Sequence, residues 1–200
     1  VLNAAEGNRL LDELGLDKKD GDGFRLMPSG ERLSLPITAI VAAYEDYPGI
    51  SEMVAEHWKD NLGVHATVQS LERSLAGERD VANQVLIDIW ESSGRDAVLI
   101  TPQHLLAVAG GGNPDRLGME WFDSGETAGR EPVSSYIREQ QTLYTEGIST
   151  SDADRYLEIA QRVVEINCEM VNPITTVMNK PTYTAIIKRN VHNIPNPLPF

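Results

Sequence analysis

The fold of this chain is decided by residues 33–71, which read LSLPITAIVAAYEDYPGISEMVAEHWKDNLGVHATVQSL. The stretch opens with an apolar run from Leu33 to Tyr44, which predicts a strand, and a turn at Pro48-Gly49 follows. Residues 51–62, which begin with a serine suited to cap a helix, repeat apolar side chains at helical spacing. Gly63 then stands where a left-handed residue commonly ends a helix.

A second strand is predicted immediately after this helix. Residues 64–69 alternate apolar and polar side chains, which is the period of a half-buried strand. A third strand is predicted over residues 83–90, where Val85, Ile87 and Ile89 share one face. Strand, helix and strand joined by short turns predict a βαβ unit with parallel strands and a right-handed crossover.

The rest of the chain predicts helices around this unit. Helical patterns lie at residues 3–14, 73–82, 134–146 and 151–171. A hairpin is predicted around Pro28-Ser29-Gly30, directly before the first strand. Two further strands are predicted at residues 174–178 and 183–187. Glycines and prolines break residues 91–130 into loops and short pieces. The fold class is therefore α/β, with a mixed, mainly parallel sheet flanked by helices.

Composition narrows the function classes. The 200 residues suit one domain or two small ones, and no apolar stretch is long enough to cross a membrane. The 17 basic and 30 acidic residues give a net charge of -13, which argues against nucleic-acid partners and anionic membrane surfaces.

The single cysteine, Cys168, cannot form an internal disulfide, and we expect it to be a small buried apolar residue. Residues 1–5 lack a signal-peptide pattern, so we expect the chain to begin within a longer protein.

No metal or cofactor site is predicted. A calcium loop over the acidic, glycine-rich residues 17–23 fails, because Lys18 and Ser29 would occupy its first and twelfth positions. The four histidines are scattered without ligand spacing, and soft-ligand clusters are absent from the sequence. No pair of carboxylates is placed by spacing for acid–base catalysis, although two that are distant in sequence could meet in the fold, so a carboxylate-based hydrolase stays open.

Several short motifs occur in an order that resembles one known family. They are LLDELGL at residues 10–16, DGDGFR at 20–25, NLGV at 61–64, GREP at 129–132 and NVHNIP at 190–195. Together with the βαβ unit, they resemble the C-terminal lobe of family 5 extracellular solute-binding proteins, the peptide/nickel class of ABC importers. The resemblance covers nearly the whole chain.

The resemblance implies a fold, a function and a location. Residues 1–200 would be the C-terminal ligand-binding lobe, and a fragment, of a two-lobed protein with the class II periplasmic-binding-protein-like fold. Such a protein is not an enzyme: it closes on an oligopeptide or similar small solute and delivers it to a membrane permease. The partners would be that solute, the permease and the missing N-terminal lobe. The location would be extracytoplasmic, in the periplasm or at the cell surface, with a lipid anchor on an upstream segment as one arrangement.

Ligands of parallel α/β sheets gather beyond the carboxyl ends of the strands, which here points to the end of the third strand. The candidate ligand-binding residues are Trp90, Glu91, Ser93, Arg95, Asp96 and, as a second aromatic residue, Trp121. In peptide-binding relatives, a tryptophan after this strand is followed three residues later by an aspartate that binds the peptide ammonium group. Ser93 stands at that spacing here, and Asp96 lies three residues further on.

Three alternatives stay open beside the peptide receptor. Tryptophan rings also stack on sugar rings, so an oligosaccharide-binding receptor of the same family is one. A carboxylate-based hydrolase is the second, and an interaction or scaffold domain without a small ligand is the third.

Overall fold

The computed structural model describes residues 3–91, 98–102, 105–109 and 115–174. Within these ranges the chain forms six helices and three strands. In chain order they are α1 (Ala4–Glu13), β1 (Ser34–Ile40), α2 (Tyr47–Leu62), β2 (His65–Leu71), α3 (Arg73–Val81), β3 (Ile87–Asp88), α4 (Arg116–Asp123), α5 (Ser135–Ser149) and α6 (Ala153–Met170).

The three strands form a parallel sheet in the order β2-β1-β3. Strand β1 pairs with β2 from Ser34 opposite His65 to Ile40 opposite Leu71. Its other side pairs with β3 at Ile37 and Thr38. The predicted α/β class and the parallel β1–α2–β2 unit are therefore confirmed. Of the two further predicted strands, at residues 174–178 and 183–187, only residue 174 is among the described residues.

Helix α2 begins earlier than the sequence pattern suggests. Ser51 was the predicted cap, but the Asp46 side chain caps the helix by accepting a hydrogen bond from the Gly49 main chain at 3.1 Å. Pro48 fits the first turn because its missing N–H would have no partner there. Ser51 instead lies inside α2 and is buried. Gly63 ends the helix in the left-handed conformation, with φ of 67°, as predicted.

Strand β3 exists where it was predicted, but it is much shorter than residues 83–90. The main chain of Asn83 donates to the Asp80 carbonyl, and Gln84 donates to the Arg79 carbonyl. These bonds, and the positive φ of 53° at Asn83, end helix α3 in a compact turn. The residues that would open the strand are used to terminate the helix, so ladder pairing is limited to Ile87 and Asp88.

A buried arginine ties the chain together at the amino-terminal end of the sheet. Arg25 is only 2% exposed. Its guanidinium donates to the Leu62 carbonyl at 2.7 Å, the Asp12 carboxylate at 2.6 Å and the Asn8 side-chain oxygen at 2.6 Å. It also donates to the Leu16 carbonyl. One side chain therefore joins α1, the segment after it and the end of α2.

Arg25 belongs to the predicted hairpin, which is present in reduced form. Isolated antiparallel bridges join Leu26 to Arg32 and Lys19 to Arg25. The main chain of Gly30 donates to the Met27 carbonyl at 2.8 Å, which closes the turn. The segment leads into β1, as the pattern predicted.

The second half of the described chain is helical. Helices α5 and α6 pack together. Ile159 and Val163 of α6 form a buried apolar cluster with Val98, Leu99, Leu106 and Val108. The Gln141 side chain donates to the carbonyls of Ala107 and Gly118, both at 3.0 Å. An ion pair of 3.7 Å between Arg116 and Asp80 joins α4 to α3.

The expectation for Cys168 is wrong. Ile159, Val163, Ile166 and Asn167 form the buried side of α6, whereas Cys168 is exposed. Successive helical residues are rotated by about 100°, so the residue after Asn167 turns away from the core.

Replacing Arg25 with methionine is expected to lower the free energy of unfolding by about 3 kcal/mol, because buried carbonyl oxygens lose a charged donor. The matched variant is Asp12→Asn, which removes the charge of the other partner of this ion pair. That partner, Asp12, is 53% exposed. It should cost about 1 kcal/mol or less. Urea unfolding followed by circular dichroism measures both values, and equal losses would contradict this role for Arg25.

Gly63→Ala is expected to destabilise the chain by about 2 kcal/mol, because a side chain strains the left-handed backbone. The new Cβ would also lie 2.7 Å from the Gly23 carbonyl oxygen. Gly77→Ala is the control, since a Cβ there meets no atom within 4 Å in the middle of α3. That variant should gain about 0.5–1 kcal/mol from helix propensity. Thermal unfolding compares the pair, and a stabilised Gly63 variant would refute the argument.

Candidate functional site

The carboxyl ends of all three parallel strands deliver polar and aromatic side chains to one edge of the sheet. Tyr44 and Tyr47 follow β1, Arg73 follows β2, and Trp90 follows β3. Parallel strands place their carboxyl ends at the same edge, which is where α/β proteins gather ligands. We refer to Tyr44, Tyr47, Arg73 and Trp90 as the aromatic rim.

Trp90 is the centre of the aromatic rim. Its ring lies 5.3 Å from the Tyr47 ring, centroid to centroid, at an angle of 46°. The Tyr44 ring lies 6.0 Å away and meets it edge to face, at 68°. These separations suit favourable aromatic pairs. Tyr44 is 65% exposed and Trp90 is partly exposed, so part of the aromatic surface faces solvent.

The Arg73 guanidinium lies over two of these rings. Its central carbon is 5.1 Å from the Trp90 centroid and 5.9 Å from the Tyr44 centroid, which are cation–π distances. The neighbouring Glu72 carboxylate turns towards α3 and accepts a hydrogen bond from the Ser74 main chain at 2.9 Å. The Ser74 contacts hold the pKa of Glu72 below its usual range. Glu72 is therefore occupied as a helix cap.

Tyr47 provides a buried polar group beneath the rim. Its side chain is 2% exposed, and its hydroxyl makes no well-formed hydrogen bond among the residues that the structure describes. Burial raises the pKa of Tyr47 and the negative charge of Glu91 raises it further, while the Glu91 main chain nearby offsets part of that rise. A buried hydroxyl whose proton meets no acceptor, as here among the described residues, is uncommon, because its desolvation costs free energy without a compensating bond.

The structure places the six sequence-predicted residues in three different ways. Trp90 and Glu91 lie at the aromatic rim, whereas Ser93, Arg95 and Asp96 are outside the described residues. Trp121 lies on α4, and no ring contact joins it to Trp90 in the described part of the chain. The ligand-binding role of all six residues stays a prediction.

Sequence reasoning missed Tyr44, Tyr47 and Arg73. The signal was available, because each residue stands within a few positions of the end of a predicted strand. The rule that ligands gather beyond strand ends holds for every strand of a parallel sheet and not for the third strand alone. Applied to every strand of the sheet, it identifies all of these positions.

The aromatic rim has the chemistry of a binding surface. It offers ring faces, one guanidinium and one buried hydroxyl, which suit recognition of a small organic molecule. Across the described ranges, no group of three or more histidine, cysteine or acidic side chains is arranged to hold a metal ion.

Comparison with known proteins identifies the class of fold. No protein-family model matches the sequence, and no curated protein matches it. Among solved structures, the chain is similar to the oligopeptide-binding protein OppA, with 25% identity and a TM-score of 0.69 over 84% of this chain. The chain spans 28% of that protein's length.

Two further solved structures share the fold at lower identity. One is the periplasmic binding protein MelB of Agrobacterium fabrum in complex with stachyose, at 15% identity and a TM-score of 0.66. The other is NikA of Brucella suis in complex with Fe(III)-EDTA, at 14% identity and a TM-score of 0.53. The matches cover 83% and 84% of this chain, but 24% and 30% of the two relatives.

The resemblance predicted from the motifs is confirmed: the structural neighbours are ABC substrate-binding proteins of the oligopeptide and nickel type. These neighbours are binding proteins, not enzymes, and the matched region is a lobe of a periplasmic-binding-protein fold. None of the helices described here combines the length and the hydrophobicity needed to span a lipid bilayer.

Tyr47→Phe is expected to remove one late-titrating group from the alkaline absorbance titration of the folded protein. The pKa of Tyr47 is raised above its ordinary value of about 10, so the folded state keeps its proton longer than the unfolded state. The free energy of unfolding must therefore fall as pH rises above about 10. The decrease should be smaller in the Tyr47→Phe variant. Burial also raises the pKa of Tyr136, so the titration of Tyr136→Phe is compared with that of Tyr47→Phe. Loss of a group that titrates at the ordinary tyrosine pKa of about 10, instead of a late one, would contradict the raised pKa.

Proposed function

We propose that this chain is the C-terminal ligand-binding lobe of the solute-binding component of an ABC importer. It captures an oligopeptide or similar small solute in the cleft between two lobes and delivers it to a membrane permease. One observation carries the proposal. The residues that follow all three parallel strands converge as the aromatic rim, in a fold similar to OppA over 84% of the chain.

The size of the match supports a lobe rather than a whole receptor. OppA is matched over 28% of its length, although 84% of this chain takes part. The permease, the second lobe and the extracytoplasmic location, in the periplasm or at the cell surface, belong to the same proposal. A lipid anchor on an upstream segment is one way in which such a receptor is held at the membrane.

The openness of the aromatic rim supports a shared cleft. Tyr44 is 65% exposed, and Arg73 is exposed beside it. A site that a second lobe covers on closure needs side chains that are solvent-accessible in the open state. Closure around the solute would bury these rings, and that burial provides much of the affinity.

An oligosaccharide is the second candidate solute. The observation that favours it is the Trp90 ring, which is partly exposed at the strand ends and can stack on the apolar face of a sugar. MelB, which shares this fold, was solved with stachyose. Both solute types use the same rim, so binding experiments must separate them.

Acid–base catalysis has less support. In the described part of the chain, every carboxylate with a shifted pKa has it lowered: Glu6, Asp20, Glu72 and Glu146. A hydrolase of the carboxylate type needs one acid whose pKa is raised so that it can donate a proton. The neighbouring binding proteins favour capture of a solute over its conversion.

The proposal is tested by thermal unfolding of the gene product that carries this chain, with two pools of probes. One pool contains tri- to pentapeptides, and the other contains neutral tri- to pentasaccharides. A bound solute stabilises the folded state by mass action, by about 2.7 kcal/mol at a hundredfold excess over Kd. We expect one pool to raise the unfolding midpoint and Trp90→Ala to abolish that rise.

Trp58→Phe serves as the control, because Trp58 lies on α2 near its carboxyl end, away from the aromatic rim. It should keep the full response to the solute. A midpoint that neither pool changes would favour a scaffold domain. Mutation-sensitive turnover of either pool would establish a hydrolase instead.

A further inference from the structure

We propose that Tyr44 is a specificity-determining contact for the solute at the aromatic rim, and that Ala42 is the residue that positions it. The inference rests on the proposed function and adds two residues that act in it. It starts from the exposure of the rim residues, which differs widely from one ring to the next.

Tyr44 is the outermost ring of the rim. Tyr47 is buried and packs against Trp90. The Arg73 guanidinium lies over the Trp90 ring and covers part of its surface. Tyr44 is largely exposed, whereas Trp90 is only partly so. Of the three rings, Tyr44 therefore offers the largest share of its surface to a solute.

Two contacts hold the Tyr44 ring in place before a solute binds. Its centroid lies 6.0 Å from that of Trp90, edge to face, and 5.9 Å from the central carbon of the Arg73 guanidinium. Both are favourable aromatic and cation–π arrangements. A side chain that is already fixed loses less conformational entropy on binding. Tyr44 thus combines exposure with a set orientation.

The backbone before Tyr44 is a second, independent observation. Ala42 is left-handed, with φ of 54°, which costs free energy for a residue that has a Cβ. Asn83 and Val171 also have positive φ, but they stand at the ends of α3 and α6, where such a residue is common. Ala42 ends no helix and lies between β1 and α2. Backbone strain of this kind is typical of functional sites.

Both ends of the short loop that carries Tyr44 are tied to the fold. The Val41 main chain donates to the Leu71 carbonyl at 2.9 Å, which continues the pairing of β1 with β2. The Asp46 side chain caps α2 at the other end. Because both ends are fixed, the left-handed turn at Ala42 sets the direction in which the chain passes the rim.

The charge of the rim favours recognition through ring surface. Arg73 is outnumbered by the acidic residues in and beside the rim, which are Glu45, Glu72 and Glu91. This excess of negative charge does not select for an anionic solute. Tyr44 is neutral, and it contributes by burying ring surface against an apolar face of the solute.

The experiment is isothermal titration calorimetry on the gene product that carries the chain. The probe is whichever pool raises the unfolding midpoint, the tri- to pentapeptides or the neutral tri- to pentasaccharides. Tyr44→Ala should weaken the apparent affinity at least about tenfold, because the buried ring surface is lost. Tyr44→Phe should stay within about threefold of the unmodified protein, because the ring remains. Leu14→Ala, which removes an exposed apolar side chain at the end of α1, should change nothing.

Ala42→Val tests the positioning role. A β-branched residue strongly disfavours the left-handed region, whereas Ala42→Gly adopts it without strain. Ala42 is exposed, so the valine acts through the backbone and does not overfill the core. We expect the valine variant to bind about tenfold more weakly and the glycine variant to keep its affinity. If Ala42 acts through Tyr44, Ala42→Val should cause no further loss in the Tyr44→Ala background.

The outcomes separate this inference from the proposed function. Circular dichroism confirms that each variant folds. Binding that Trp90→Ala abolishes but Tyr44→Ala leaves intact would overturn the role of Tyr44 alone. An additive loss in the double variant would overturn the role of Ala42. Binding of neither pool would overturn the proposed function together with this inference.

Discussion

The buried guanidinium of Arg25 is the contact on which the rest of the sheet depends. It bonds to Asn8 and Asp12 on α1 and to the Leu62 carbonyl at the end of α2. Its own main chain donates to the Gly63 carbonyl at 2.7 Å. The position at which α2 ends and β2 begins is therefore fixed by a buried charged group. A buried arginine is tolerated only when its donors are satisfied in this way.

This stabilising network and the candidate site lie at opposite ends of the parallel sheet. Arg25 acts at the amino-terminal ends of β1 and β2, whereas Arg73 and Trp90 follow the carboxyl ends of β2 and β3. The separation follows from parallel pairing, which gathers like ends of the strands. Arg25 and Arg73, at opposite ends, lie in different environments. Arg25 is saturated by carbonyl and carboxylate oxygens, whereas Arg73 lies on aromatic rings.

Much of the architecture could be predicted because local patterns and tertiary packing agree in it. The parallel pairing of β1 with β2 and the left-handed Gly63 were both read correctly. Two of the errors occur where a local hydrogen bond competes with the pattern. Asp46 starts α2 before Ser51, and Asn83 closes α3 within the predicted third strand. Such side-chain and turn contacts depend on geometry that periodicity does not contain.

The sequence by itself determined the α/β class, the parallel order of the first two strands and the resemblance to solute-binding proteins, because periodicity and short motifs are properties of neighbouring residues. It also indicated Trp90, which is the last residue of a predicted strand. Only the tertiary structure decided that Tyr44, Tyr47 and Arg73 surround that ring. These residues lie far from Trp90 along the chain, and they meet it because parallel strands carry their carboxyl ends to one edge.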